Sequence, residues 1–166
     1  MHASGDKLLG GPQCGLLLGD ADLVQRLRRD PLARALRVDK LTLAALEATL
    51  RGPVPPVVAS LASRPSDLMA RARRIAAALG TDLAEAVASE AAVGGGGAPG
   101  VVLPSAAVAV PARLASPLRL GELPVVGRVV DGRLLLDLVA VPPERDDDLT
   151  EAVRRAAKSV EGGDGA

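Results

Sequence analysis

Not one of the 166 residues is Phe, Tyr or Trp, and that absence limits what the chain can fold into more than any motif does. Aromatic rings usually supply much of a protein core and nearly all stacking platforms for bases or cofactor rings. The core must here come from Leu, Val, Ala and Ile, a set that can fold but tends to pack loosely. With 48% apolar and 24% charged residues, the chain is long enough for one domain with a real core, or for a small domain carrying extra segments. Lys and Arg number 20, as do Asp and Glu, so no overall electrostatic footprint argues for unaided binding to nucleic acid or membrane. Any nucleic-acid contact must be local or supplied elsewhere. Cys14 is the only cysteine, which excludes an internal disulfide and a cysteine-based zinc site, and it reads as a small buried apolar residue. The start, Met1 to Lys7, has no apolar leader core, and the apolar stretch 101–112 is broken by Pro104 and Pro111. The expectation is a soluble, cytoplasmic protein with no membrane span.

Along the chain, residues 14–19 form a short apolar run between glycines, the pattern of a buried strand. A short helix over 20–29 follows, with Asp20 or Asp22 near its start, until Pro31 interrupts it. Asp39 caps a helix through Leu50 whose Leu41, Leu43, Leu46 and Leu50 offer an apolar stripe. Gly52-Pro53-Val54-Pro55-Pro56 breaks that helix and marks a linker over 52–65. Beyond it, 66–160 reads as a separate small α/β domain. Ser66 or Asp67 caps a helix to Leu79 with Gly80 as its C-terminal glycine, 83–92 leans towards strand, and the glycine-rich stretch 94–100 is a loop before a strand over 101–110. Two apolar runs, 124–130 and 133–139, flank Asp131-Gly132 and predict a β-hairpin. A last helix begins at the acidic residues 146–148 and carries Arg154, Arg155 and Lys158 towards its end, and 161–166 is expected as a disordered tail.

One lysine stands on a tight turn in Ser4-Gly5-Asp6-Lys7-Leu8-Leu9-Gly10-Gly11-Pro12-Gln13, among groups too small to crowd a bound cofactor. Only an amine condenses with an aldehyde, so arginine, which the chain otherwise prefers, could not replace it. A solvated lysine in a glycine-rich loop is the competing reading. Ser4 to Lys7 also has the Ser-x-x-Lys form of penicillin-binding enzymes, but their Ser-Asp-Asn and Lys-Thr-Gly elements are missing. The glycine run at 94–97 lacks the Gly-Lys-Ser/Thr ending of a phosphate loop, and no dinucleotide fingerprint opens a helix.

The segment 4–13, followed by 31–51 (Pro-Leu-Ala-Arg-Ala-Leu-Arg-Val-Asp-Lys-Leu and onward), resembles the signature of the bacterial L-seryl-tRNA(Sec) selenium transferase (selenocysteine synthase) family. Weaker likeness continues through Val93 to Gly96, Leu103-Pro104-Ser105, and Pro124 to Leu138. The resemblance implies the C-terminal part of a fold-type I transferase dependent on pyridoxal 5'-phosphate. Residues 1–51 would then be a remnant of the large cofactor-binding domain, ahead of a small α/β domain with a short mixed or antiparallel sheet and flanking helices. It implies that Lys7 is the catalytic, cofactor-holding lysine, that Ser4 contacts the cofactor phosphate, and that Arg34 and Arg37 bind selenophosphate. Seryl-tRNA(Sec) would be the substrate and a homo-oligomer, decameric in the family, the assembly. No metal is implied. Arg128 either approaches the same pocket or is an edge-strand charge.

The family's pattern is not followed throughout. Ala3 replaces a usual aromatic, the chain after Arg51 is shortened and proline-rich, and the partners for the cofactor ring lie in a large domain that precedes the lysine in the family. A catalytically silent remnant or assembly module of that enzyme is therefore the alternative to a working transferase.

Overall fold

The computed structural model describes residues 1–94 and 98–163. Its contact pattern divides the chain after Leu61: Met1–Leu61 lies in one compact unit, and Ala62–Val93 with the chain from Gly100 onward forms another.

The first unit opens with strand β1 (His2–Ser4), which pairs antiparallel with β2 (Gly15–Leu17) so that Ser4 faces Gly15. Four helices follow: α1 (Ala21–Arg29), α2 (Pro31–Leu36), α3 (Lys40–Arg51) and α4 (Pro56–Leu61). Three of their starts are fixed by aspartates whose carboxylates accept backbone amides left orphaned in a first helical turn. Asp20 accepts from Leu23 at 3.0 Å, Asp30 from Leu32 at 2.9 Å and Asp39 from Thr42 at 2.8 Å. Pro31 ends α1 and opens α2, its missing N–H costing nothing at a first helical position. Helix α4 stands within the stretch expected to be a bare linker.

Strand β2 is not buried as expected. Leu17 and Leu18 are 62% and 51% exposed, because β2 pairs with β1 alone and the two-stranded sheet gains no second apolar layer among the described residues of this unit. Only Gly5 and Cys14 are buried within the described residues 1–61. The apolar stripe of α3 likewise points outward, with Leu41 83% exposed.

The second unit holds the core. An antiparallel sheet in the order β3-β4-β6-β5 is built from β3 (Glu85–Ala92), β4 (Val102–Pro111), β5 (Arg128–Val130) and β6 (Arg133–Asp137). Alternation along β4 sends Ala106, Val108 and Val110 to one face, where they pack with Leu134 and Leu136 against α5 (Pro65–Leu79), α6 (Ala115–Leu120) and α7 (Asp146–Gly163). Leu68, Ile75, Leu114, Leu118 and Val153 complete this aliphatic interior. Pro104 is tolerated inside β4 because pairing with β6 reaches only to Ala107, so the proline has a neighbour on one side.

The hairpin at Asp131-Gly132 forms as expected, with φ of 48° and 74° at the two turn residues, the mirror-image geometry that Gly and Asp tolerate. Its first strand is shorter than the apolar run suggests and starts at Arg128, since Val125 instead donates its amide to Leu118. Helix α5 starts one residue before Ser66, at Pro65, and its cap residue is Arg64, which makes no side-chain cap bond. Asp67 pairs with Arg64 at 2.8 Å. Helix α7 continues through Gly163, so residues 161–163 are helical rather than a loose tail, and Arg154 and Arg155 fall mid-helix. The remainder of that expected tail, and residues 95–97 of the glycine loop, lie outside the described residues.

Candidate functional site

Lys7 sits on the exposed turn joining β1 to β2. Its surroundings are small because the backbone folds on itself. Gly5 donates to Cys14 O at 2.9 Å, Gly10 to Lys7 O at 3.0 Å and Gly11 to Gly5 O at 2.7 Å. A Cβ on Gly5 would meet Cys14 Sγ at 2.5 Å and Pro12 O at 2.6 Å, while Gly10 has φ of +72°. These glycines hold the loop shut upon itself; they do not line a cup for a ligand. Thr49 of α3 lies 3.2 Å from where a Gly11 Cβ would be, so α3 backs the loop.

The Ser4 hydroxyl donates to Asp6 Oδ1 at 2.5 Å. That bond, then the Asp6 backbone amide and the neighbouring Lys7 charge, holds the Asp6 carboxyl below its ordinary range. The sequence reading passed over Asp6. The available signal was its place two residues after a serine, the spacing at which such side chains bond locally in turns.

Arg34 is helical within α2 and exposed; Arg37 is the cap residue that leaves the helix with ψ of 142°. Their three-residue spacing therefore does not place both on one helical face. Arg128 lies in the second unit, on the edge strand β5, where it faces Asp137 at 3.5 Å. Asp137 also accepts Ser89 Oγ at 2.8 Å and Ser105 Oγ at 2.6 Å, so one carboxylate ties β3, β4, β5 and β6 together. The nearest interactions of Arg128 are thus those of a sheet staple. This cluster was not foreseen, because its members are far apart in sequence and meet only through the strand register.

For pyridoxal phosphate, the chain offers a primary amine on an accessible turn, which fits the anchoring function. It offers no aromatic ring to stack on the pyridine, since the sequence has none. Among the described residues no helix is long and apolar enough to cross a membrane.

The family model for L-seryl-tRNA selenium transferase matches residues 1–142. Curated relatives carrying that name include a Hyphomonas neptunium protein, 41% identical over 93% of this chain, and a Moorella thermoacetica protein, 39% identical over 97%. A Klebsiella pneumoniae relative is 43% identical over 85% of the chain. The matched region is 37%, 38% and 35% of those three proteins, so the chain spans little more than a third of their length. The lysine turn, the arginines of α2 and the hairpin sheet all fall inside the family match, and the chain belongs to the L-seryl-tRNA selenium transferase family.

Proposed function

We propose that this chain provides the lysine-bearing segment and the small domain of a pyridoxal-phosphate-dependent L-seryl-tRNA(Sec) selenium transferase, which makes selenocysteinyl-tRNA(Sec) from seryl-tRNA(Sec) and selenophosphate. In this reading, residues 1–51 belong to the cofactor-binding domain of a fold-type I enzyme and 66–160 to its small domain. The observation that carries it is the placement of Lys7, the one amine in the Ser-Gly-Asp-Lys motif, at the exposed apex of a closed glycine turn within the family match. The cofactor, when bound, withdraws electrons from the seryl α-carbon so that the hydroxyl can leave.

The roles of this chain's residues follow from their chemistry. Lys7 holds the cofactor aldehyde through its amine. Ser4 holds the Asp6 carboxyl below its ordinary range, one residue before Lys7 in the turn. Ser4 has a single O–H, now donated to Asp6, so contact with the cofactor phosphate requires that hydroxyl to rotate. Arg34 and Arg37 take the selenophosphate anion, for which planar guanidinium groups are suited. The ring-stacking group and the partner of the pyridine nitrogen come from polypeptide outside this chain, in a cytoplasmic homo-oligomer such as the family's decamer.

The test is chemical. The chain, alone and with the remaining two-thirds of a relative supplied in trans, is treated with pyridoxal phosphate and then borohydride, and peptides are mapped by mass spectrometry. A pyridoxyl adduct on Lys7, lost in Lys7→Ala, is expected in the complemented sample. Its absence there would sink the catalytic reading. The second reading, a catalytically silent assembly module, is favoured by the scarcity of buried residues in the first unit. It predicts association with the supplied portion without any adduct.

A further inference from the structure

The four-stranded sheet ends in two unlike edges. At one, β5 is three residues long and carries Arg128, features that blunt an edge against further pairing. At the other, β3 runs for eight residues, Glu85–Ala92, without the usual protections. It holds no proline, lysine or arginine, and its register against β4 is unbroken from Glu85 opposite Ala109 to Ala92 opposite Val102, so no bulge twists it away.

Backbone geometry fixes which groups of β3 face outward. Val93 donates its amide to Val101 O at 2.9 Å, which makes that pair a hydrogen-bonded one in the antiparallel ladder. Alternation then turns the N–H and C=O groups of Glu85, Val87, Ser89 and Ala91 towards β4, and those of Ala86, Ala88, Glu90 and Ala92 towards the open edge. Among the described residues no hydrogen bond beyond the sheet engages these last four, and Ala88, Glu90 and Ala92 are exposed. A row of donors and acceptors at this spacing is the template for another strand.

We infer that the β3 edge pairs with the β3 edge of a second copy of this chain, antiparallel about a two-fold axis at Ser89. In that register Ala88 stands opposite Glu90 of the second copy and Ala86 opposite its Ala92, and the reverse holds by symmetry, so every outward group of both strands is bonded. Ala86, Ala88 and Ala92 are too small to hold the strands apart. The neighbouring registers are worse. One sets Glu90 against Glu90 of the second copy, and the other sets Ala92 against Ala84, which precedes the strand and already donates its amide to Gly80. A contact of this length is small beside an obligate interface, so the dimer is weak and concentration-dependent. It involves the second unit alone and is independent of the chemistry at Lys7.

The experiment is sedimentation equilibrium of the full chain over a concentration series, where a monomer–dimer equilibrium is expected. Ala88→Glu sets like charges opposite each other twice and is expected to weaken the dimer roughly tenfold, whereas Ala88→Lys sets an ammonium opposite Glu90 twice and is expected to strengthen it by a similar factor. Ala88 is exposed, so both variants keep the fold, which circular dichroism checks. Under mild oxidation Ser89→Cys should give a disulfide-linked dimer, because the two copies of that position meet at the axis. Val87→Cys should not, since its two copies lie four residues out of register, roughly 13 Å apart and beyond the span of a disulfide. The parent chain, whose Cys14 is buried, is the control for both. A monomer at every concentration would overturn the inference. So would a dimer indifferent to both Ala88 substitutions, which places the contact elsewhere, or crosslinking through position 87 in preference to 89.

Discussion

Asp146 is the most deeply buried partner in the ion pairs among the described residues. Its carboxylate, 5% exposed, accepts Arg71 Nε at 3.0 Å and a second Arg71 nitrogen at 2.6 Å, and also pairs with Arg74. Arg71, itself 12% exposed, continues to Val141 O at 2.7 Å. A buried guanidinium with its carboxylate removed is a stranded charge, so Asp146→Ala should destabilise the unit by about 3–5 kcal/mol. Arg74→Ala, which removes the 67% exposed partner, should cost under about 1 kcal/mol. Urea titrations followed by far-ultraviolet dichroism check the pair, and equal losses would refute the division of labour. The sequence showed Asp146 as one of three acids suited to a helix start, which is correct for its place. Its burial was illegible because Arg71 and Arg74 reach it only through the packing of α5 on α7.

At the scale of elements, what could be read early was whatever local backbone chemistry decides. Asp131-Gly132 forces a turn, because both positions need positive φ and those residue types accept it. Asp39 caps α3 for an equally local reason, and this gives a pH dependence. Its carboxyl is held below the ordinary aspartate value, chiefly by the Thr42 amide. A depressed carboxylate stabilises the fold above its unfolded value, and that contribution disappears as pH falls through the folded one. The Thr42 amide resonance should therefore titrate in acid, below the range of an unperturbed aspartate, and should lose that titration in Asp39→Asn. An unperturbed midpoint would contradict the cap. Elements set by tertiary surroundings were harder to read. Nothing local told that β2 would stay exposed, or that α5 would begin at Pro65 behind an arginine with no capping side chain. Arg34 and Arg37 were paired by the family resemblance, and what no local signal told is that α2 ends at Leu36, leaving Arg37 as its cap residue.

Across the whole molecule, the aromatic-free composition told the truth about the interior without telling where it would be. Leu, Val, Ala and Ile do form a continuous core, but it is confined to the second unit. The first unit keeps Leu32, Leu36 and Leu41 at 66%, 79% and 83% exposure. Elements with few buried contacts open locally at little cost. Amide hydrogen exchange should consequently be fast across α1 to α3 and slow in β4 and α7, and supplying the remaining portion of a relative should protect the first three helices. Uniform protection of the isolated chain would contradict this picture. The lysine proposed to hold the cofactor could be spotted from its motif, since an aldehyde demands an amine. A group to stack on a cofactor ring could not, because the sequence has no aromatic residue.

The bond from Arg71 to Asp146 joins positions 75 residues apart. A ribosome making this protein thus releases α5 well before the acid that neutralises it has been translated. Until then the guanidinium lacks its buried carboxylate partner. The lobe is consequently complete only once its final helix has been made, and a prematurely ended message leaves Arg71 without the carboxylate it pairs with.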